Sequence, residues 1–139
     1  MVRGGRGGVA HPRDPYHRVD VLDTGRRVRI SLDGETLGET SRAKVIFEAG
    51  LPPRWYLPRE DVRMDLLAPS DSHTICAYKG QASYFSYGDA ADMAWSYEDP
   101  RHEAAPVRDL LCFYVEHTDY VVDGERIPRP VTDWSRSRT

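Results

Sequence analysis

What most limits the folds open to this chain is its punctuation. Short runs of alternating apolar and polar residues recur along it, and each is soon interrupted by Asp-Gly, Gly or Pro. No segment sustains the 3.6-residue period of a long helix. "RRVRISLDGETLGETS" alternates Val28, Ile30 and Leu32 with polar neighbours and then meets Asp33-Gly34, a pair that favours a type I′ hairpin turn. "YVVDGERI" repeats the signal at Asp123-Gly124. Between them, "AKVIFEAG" is a β-rich run ended by Gly50 and Pro52-Pro53, residues that neither a helix nor a central strand tolerates. "RWYLP" and "VRMDLL" read as two further extended pieces around Pro58, and "LLCFYVE" as a buried strand. The one helical element expected is a short turn near Arg101 to Ala105, between Pro100 and Pro106. The chain is therefore expected to be mostly β, a single compact barrel-like or sandwich domain of short strands with at most short helical turns.

At 139 residues, 40% hydrophobic and 29% charged, the chain has the length and composition of one globular domain. No apolar run approaches the roughly 20 residues of a membrane helix, and the start "MVRGGRGGVAHPRDP" lacks the apolar stretch of an export signal. A cytoplasmic location and reduced thiols at Cys76 and Cys112 follow as expectations. Charge is uneven. Residues 1–18 carry four arginines against Asp14 and residues 126–139 four against Asp133, leaving −9 of the net −3 on residues 19–125. An acidic body repels a phosphate backbone, so nucleic acid is a poor partner. The expected organisation is a disordered Gly/Arg-rich extension over 1–18, a β domain over 19–125, and a tail over 126–139 partly packed through Trp134. Removing residues 1–18 should leave the fold intact.

The densest chemistry lies in "HTICAYKGQASYFSY", His73 to Tyr87. In a strand, Thr74, Cys76 and Tyr78 point one way; beyond Gly80, Tyr84 and Phe85 point to opposite faces, as in a strand covered on both sides. A lysine beside a thiol stabilises the thiolate, which makes Lys79 and Cys76 the candidate catalytic pair; the alternative for Cys76 is a small buried hydrophobe. Glu48, at the end of "KVIFE", is either an exposed strand-end carboxylate or one turned inward and paired with Lys79 or Arg59. In "PREDVR", alternation would send Arg59, Asp61 and Arg63 one way. Tyr56, Tyr84, Trp95 and Tyr97 supply polar-tipped aromatic surface for a flat or amphipathic ligand, or simply core. His73-x-x-Cys76 has metal-ligand spacing but no second ligand pair, so neither metal nor cofactor is expected.

The succession "LPPRWYLPREDVRMDLL", "CAYKGQASYFSY", "AWSYEDP" and "FYVE" resembles a small bacterial and fungal family catalogued as domain of unknown function 427, from about Val28 to Asp123. The family's usual Cys-Pro-Tyr-Lys-Gly has Ala77 in place of its proline. The resemblance implies a compact, mostly-β fold and raises Arg59 and Asp61 as candidates, since both fall within a matching motif. A nucleotidyltransferase-like label sometimes attached to the family has no counterpart here, because "YKGQAS" lacks the upstream glycine of a phosphate loop.

Three functions are open from the sequence. The first is binding of a small anionic or carbonyl-bearing molecule in a pocket around Lys79, Cys76, Glu48, Arg59 and Tyr84, with chemistry upon it. The second is a small-molecule binding module without turnover, and the third a protein-interaction domain with no pocket. The protein is expected to act as a monomer or homodimer away from membranes.

Overall fold

The computed structural model describes residues 19–135; the glycine-arginine extension and the last four residues lie outside them. Among the described residues, eleven strands form two antiparallel sheets. They are β1 (Val19–Asp23), β2 (Val28–Leu32), β3 (Glu35–Thr40), β4 (Lys44–Glu48), β5 (Arg54–Leu57), β6 (Leu67–Cys76), β7 (Gly80–Tyr87), β8 (Ala90–Pro100), β9 (Leu111–Phe113), β10 (Asp119–Val122) and β11 (Glu125–Ile127). The larger sheet has the order β1-β4-β5-β9-β8-β7-β6 and the smaller β11-β10-β2-β3. The arrangement is a sandwich, and neither sheet closes into a barrel.

Both Asp-Gly pairs make the turns their chemistry favours. Asp33 and Gly34 have φ of 51° and 84°, Asp123 and Gly124 of 52° and 81°, so each two-residue loop has both residues left-handed as a type I′ turn requires. In register, Leu32 meets Glu35 and Val122 meets Glu125.

Single-residue alternation divides the larger sheet between two cores. Leu57, Phe85, Ala94, Leu111 and Phe113 face the smaller sheet and pack with Val28, Ile30, Leu37, Tyr120 and Val122. Their neighbours Tyr56, Tyr84, Trp95 and Cys112 turn to the other face and pack with Ile46, Ala82, Tyr97 and Tyr114. This second face is covered by a 3-10 helix, His102–Val107, through Ala104 and Val107. That helix packs on both β1 and β8, which lie far apart in the strand order, so the sheet curls around it.

Two local expectations are corrected. "VRMDLL" is not one extended piece: a 3-10 helix spans Met64–Leu66, preceded by another at Arg59–Asp61, Val62 between them bridges Gly38 of β3, and Leu67 opens β6. Local backbone turns and one bond from the Arg63 N–H to the Leu37 carbonyl of β3 satisfy this segment in place of a strand ladder, while Thr40 and Arg42 donate to the Asp61 side chain and Arg63 to that of Asp65. Tyr78 lies in the three-residue turn joining β6 to β7, since Cys76 already pairs with Gly80. The stretch ahead of Pro100 forms the long strand β8, whose apolar run is buried on both faces and therefore shows no alternation.

Candidate functional site

The β6–β7 turn carries Lys79 to the mouth of the curled sheet. Gly80 makes the turn possible: its φ is 113°, and a Cβ there would stand 3.1 Å from the Asp99 carbonyl oxygen and 3.2 Å from the Arg101 nitrogen. That close approach lets the Arg101 N–H donate to the Lys79 carbonyl at 2.9 Å, fixing the turn to the end of β8. The Lys79 ammonium then reaches Glu48 at the end of β4, with side-chain exposures of only 9% and 6%. Three strands, β5, β9 and β8, separate β4 from β7 in the sheet, so this ion pair spans the curl. Of the two partners open to Glu48 from the sequence, the fold selects Lys79.

Beside it lies a second buried pair. Arg54 of β5 donates through both terminal nitrogens to Glu116, at 2.6 and 2.8 Å. Burial is the largest single influence and opposes both charges, but hydrogen bonding and Coulomb attraction together outweigh it: the Arg54 guanidinium is held above its usual pKa and the Glu116 carboxyl below the ordinary carboxylate range. Thr132 from the C-terminal segment also donates to Glu116 Oε2, at 2.6 Å. The guanidinium also lies 5.4 Å from the Trp95 ring and 5.7 Å from that of Tyr114, in cation–π range.

Glu48, Lys79 and Arg54 line one cleft of about 490 Å³, together with Cys76, Tyr78, Tyr84, Trp95, Tyr97 and Trp134. The Tyr84 hydroxyl shares a 2.9 Å hydrogen bond with Thr74. Tyr97 is buried, and burial first, then the neighbouring Cys76, raise its hydroxyl well above the usual phenol value, so it stays a proton donor. Cys76 is a half-buried free thiol. Hollows of comparable volume beside Asp23 and Lys44, and along β3, contain no ion pair with both partners buried.

Of the sequence candidates, Lys79, Cys76, Glu48, Tyr84, Trp95 and Tyr97 come together here. Three do not. Tyr56 is fully buried beneath the cleft wall, where its hydroxyl accepts from the Trp95 indole at 3.2 Å. Arg59 lies on the opposite face of the sheet, over Phe85, donating to the Asp109 carbonyl and to Ser96. Asp61 is held at β3 by Thr40 and Arg42, whose hydrogen bonds keep its carboxyl below the usual range. The 3-10 helix breaks the alternation that would have aligned Arg59 with Asp61. Sequence reading did not single out Arg54 or Glu116; the signal available for Arg54 was its alternation with Tyr56 in a buried strand.

A family profile described as "Domain of unknown function (DUF427)" matches residues 20–124. The chain belongs to this family. Within that DUF427 span lie both members of each buried ion pair, whereas Thr132 and Trp134 lie beyond it. Gly80 opens strand β7 rather than a helix, so the DUF427 Tyr-Lys-Gly segment here is a hairpin and not a phosphate loop. No curated protein matches the chain. Among the described residues no three His, Cys, Asp or Glu side chains are grouped to hold a metal, and no helix is long and apolar enough to cross a membrane.

Proposed function

We propose that the cleft binds a small, flat, carbonyl-bearing molecule. The observation that carries this reading is the convergence of a buried lysine, a half-buried thiol and polar-tipped aromatic rings on one hollow. Its volume lies within the roughly 300–1,000 Å³ of small-molecule pockets. The charge balance narrows the ligand class. Each cleft cation faces its own carboxylate, so an anion gains little Coulomb attraction there, whereas a neutral carbonyl needs only donors. An ammonium has three N–H bonds, and one carboxylate oxygen occupies one of them. Tyr97 adds a protonated hydroxyl, and Trp95 and Tyr84 give the same hollow an aromatic wall suited to a conjugated ligand.

The test is mass spectrometry of small molecules released from natively purified protein, repeated on Lys79→Met and Lys44→Met. A carbonyl compound retained by the parent and by Lys44→Met, and lost from Lys79→Met, is the expected result. Parent protein that releases nothing, and whose melting temperature none of a panel of aromatic aldehydes and ketones raises, would overturn the reading.

A further inference from the structure

Two buried ion pairs meet the cleft, Lys79–Glu48 through both partners and Arg54–Glu116 through its arginine, and they are built differently. Arg54 grips Glu116 through two parallel hydrogen bonds, the geometry that arginine supplies and lysine cannot. In the other pair the cation is Lys79, joined to Glu48 through one carboxylate oxygen. The choice is notable in this chain, whose only lysines among 19 basic residues are Lys44 and Lys79. A buried carboxylate needing only a permanent countercharge is better served by arginine. What lysine adds is an ammonium that can surrender a proton and become a nucleophilic amine.

We infer that Lys79 forms an imine with an aldehyde or ketone bound in the cleft, and that Glu48 carries the protons. The inference rests on the binding reading above. Glu48 takes one proton from the ammonium along their existing contact. The amine lone pair then adds to the carbonyl carbon, and Glu48 returns that proton to the carbonyl oxygen. It takes a second proton from nitrogen and delivers it to the hydroxyl, water departs, and the nitrogen lone pair completes the C=N bond. Two protons have moved from nitrogen to oxygen, and a protonated imine faces the Glu48 carboxylate. The buried site thus begins and ends with one positive and one negative charge, so the product needs no new countercharge in a place that would penalise an unpaired one. The side chains of both partners are nine-tenths or more buried, which restricts bulk water from the returning hydrolysis. Tyr97, kept protonated and lining the same cleft, is placed to donate to the carbonyl oxygen as charge develops there.

The chain supplies its own control. The Lys44 side chain is 30% exposed, pairs with Asp23, and lines a different hollow. Folded protein at pH 7 is treated with benzaldehyde, cinnamaldehyde or phenylpyruvate in the presence of sodium cyanoborohydride. The reduced adduct, the mass of the carbonyl compound less one oxygen, is then located by peptide mapping. With at least one probe, Lys79 should be modified more than about tenfold faster than Lys44, and Glu48→Gln should slow it about a hundredfold, the loss expected for a general acid–base group. The preference should vanish in unfolded protein. Binding of each probe without reductant is followed in parallel by saturation-transfer NMR. A probe that binds while Lys79 is modified no faster than Lys44 overturns the imine and leaves the binding reading standing. If no probe binds and no adduct forms at Lys79, both fall.

Discussion

Removing Arg54 should show how far the cleft depends on its structural ion pair. The Glu116 side chain is fully buried, and Arg54→Met would leave its carboxylate with only neutral donors, Thr132 and its own backbone N–H, in the pair's network. Breaking a buried ion pair from one side costs about 3–5 kcal/mol, because the surviving charge is left without its countercharge. Contact of the guanidinium with Trp95 and Tyr114 is also lost, but a methionine sulfur against the same rings replaces much of it, so the pair dominates the total. For a domain of this size that corresponds to a fall of about 10–20 °C in melting temperature. Urea unfolding followed by tryptophan fluorescence would measure it as a lower midpoint at unchanged slope. Adding Glu116→Gln should then recover about 2–3 kcal/mol, since an amide tolerates burial where a carboxylate does not. The pH dependence gives an independent sign. In the parent the Glu116 carboxyl is held low, so its contribution is complete above the ordinary carboxylate range and is lost as pH falls through the folded value. In Arg54→Met burial takes over and raises the carboxyl, so protonation on acidification relieves the variant. The stability gap should therefore narrow between pH 7 and about pH 4. A loss under about 1 kcal/mol, or a gap that widens on acidification, would refute the assignment of Glu116 as a buried anion held by Arg54.

Three further outcomes follow from the geometry. Burial pushes the Cys112 thiol up to about 12, so a thiol reagent at pH 8 should modify Cys76 in folded protein and reach Cys112 only on unfolding; equal rates would contradict the core position of Cys112. Gly80→Ala places a side chain at φ 113° against the Asp99 carbonyl and should cost about 1–3 kcal/mol in urea unfolding, while Gly34→Ala, with open space around it, should cost less. Thr132→Ala removes a hydrogen bond to the buried Glu116 and should cost about 1.5–3 kcal/mol, with Thr132→Ser restoring most of it; a neutral Thr132→Ala would show that the C-terminal segment does not secure the pair.

Local sequence determined the fold's vocabulary. The Asp33-Gly34 and Asp123-Gly124 turns, the alternation of Val28, Ile30 and Leu32, and the opposed Tyr84 and Phe85 are set by backbone sterics and a two-residue period, quantities readable within a few positions. The richness of the Cys76–Gly80 turn was equally visible, because its residue types crowd together in the chain. The 3-10 helices Arg59–Asp61 and Met64–Leu66 were not legible, since Thr40 and Arg42, which satisfy Asp61, come from β3 and the loop after it. Nor was the face on which Arg59 lies. The cleft itself belongs to tertiary structure: Glu48 and Lys79 are 31 residues apart and Arg54 and Glu116 are 62, and only strand order and sheet curl bring either pair together. A buried charge survives only where a distant partner meets it, and strand alternation fixes which face a residue takes but not which strand is opposite.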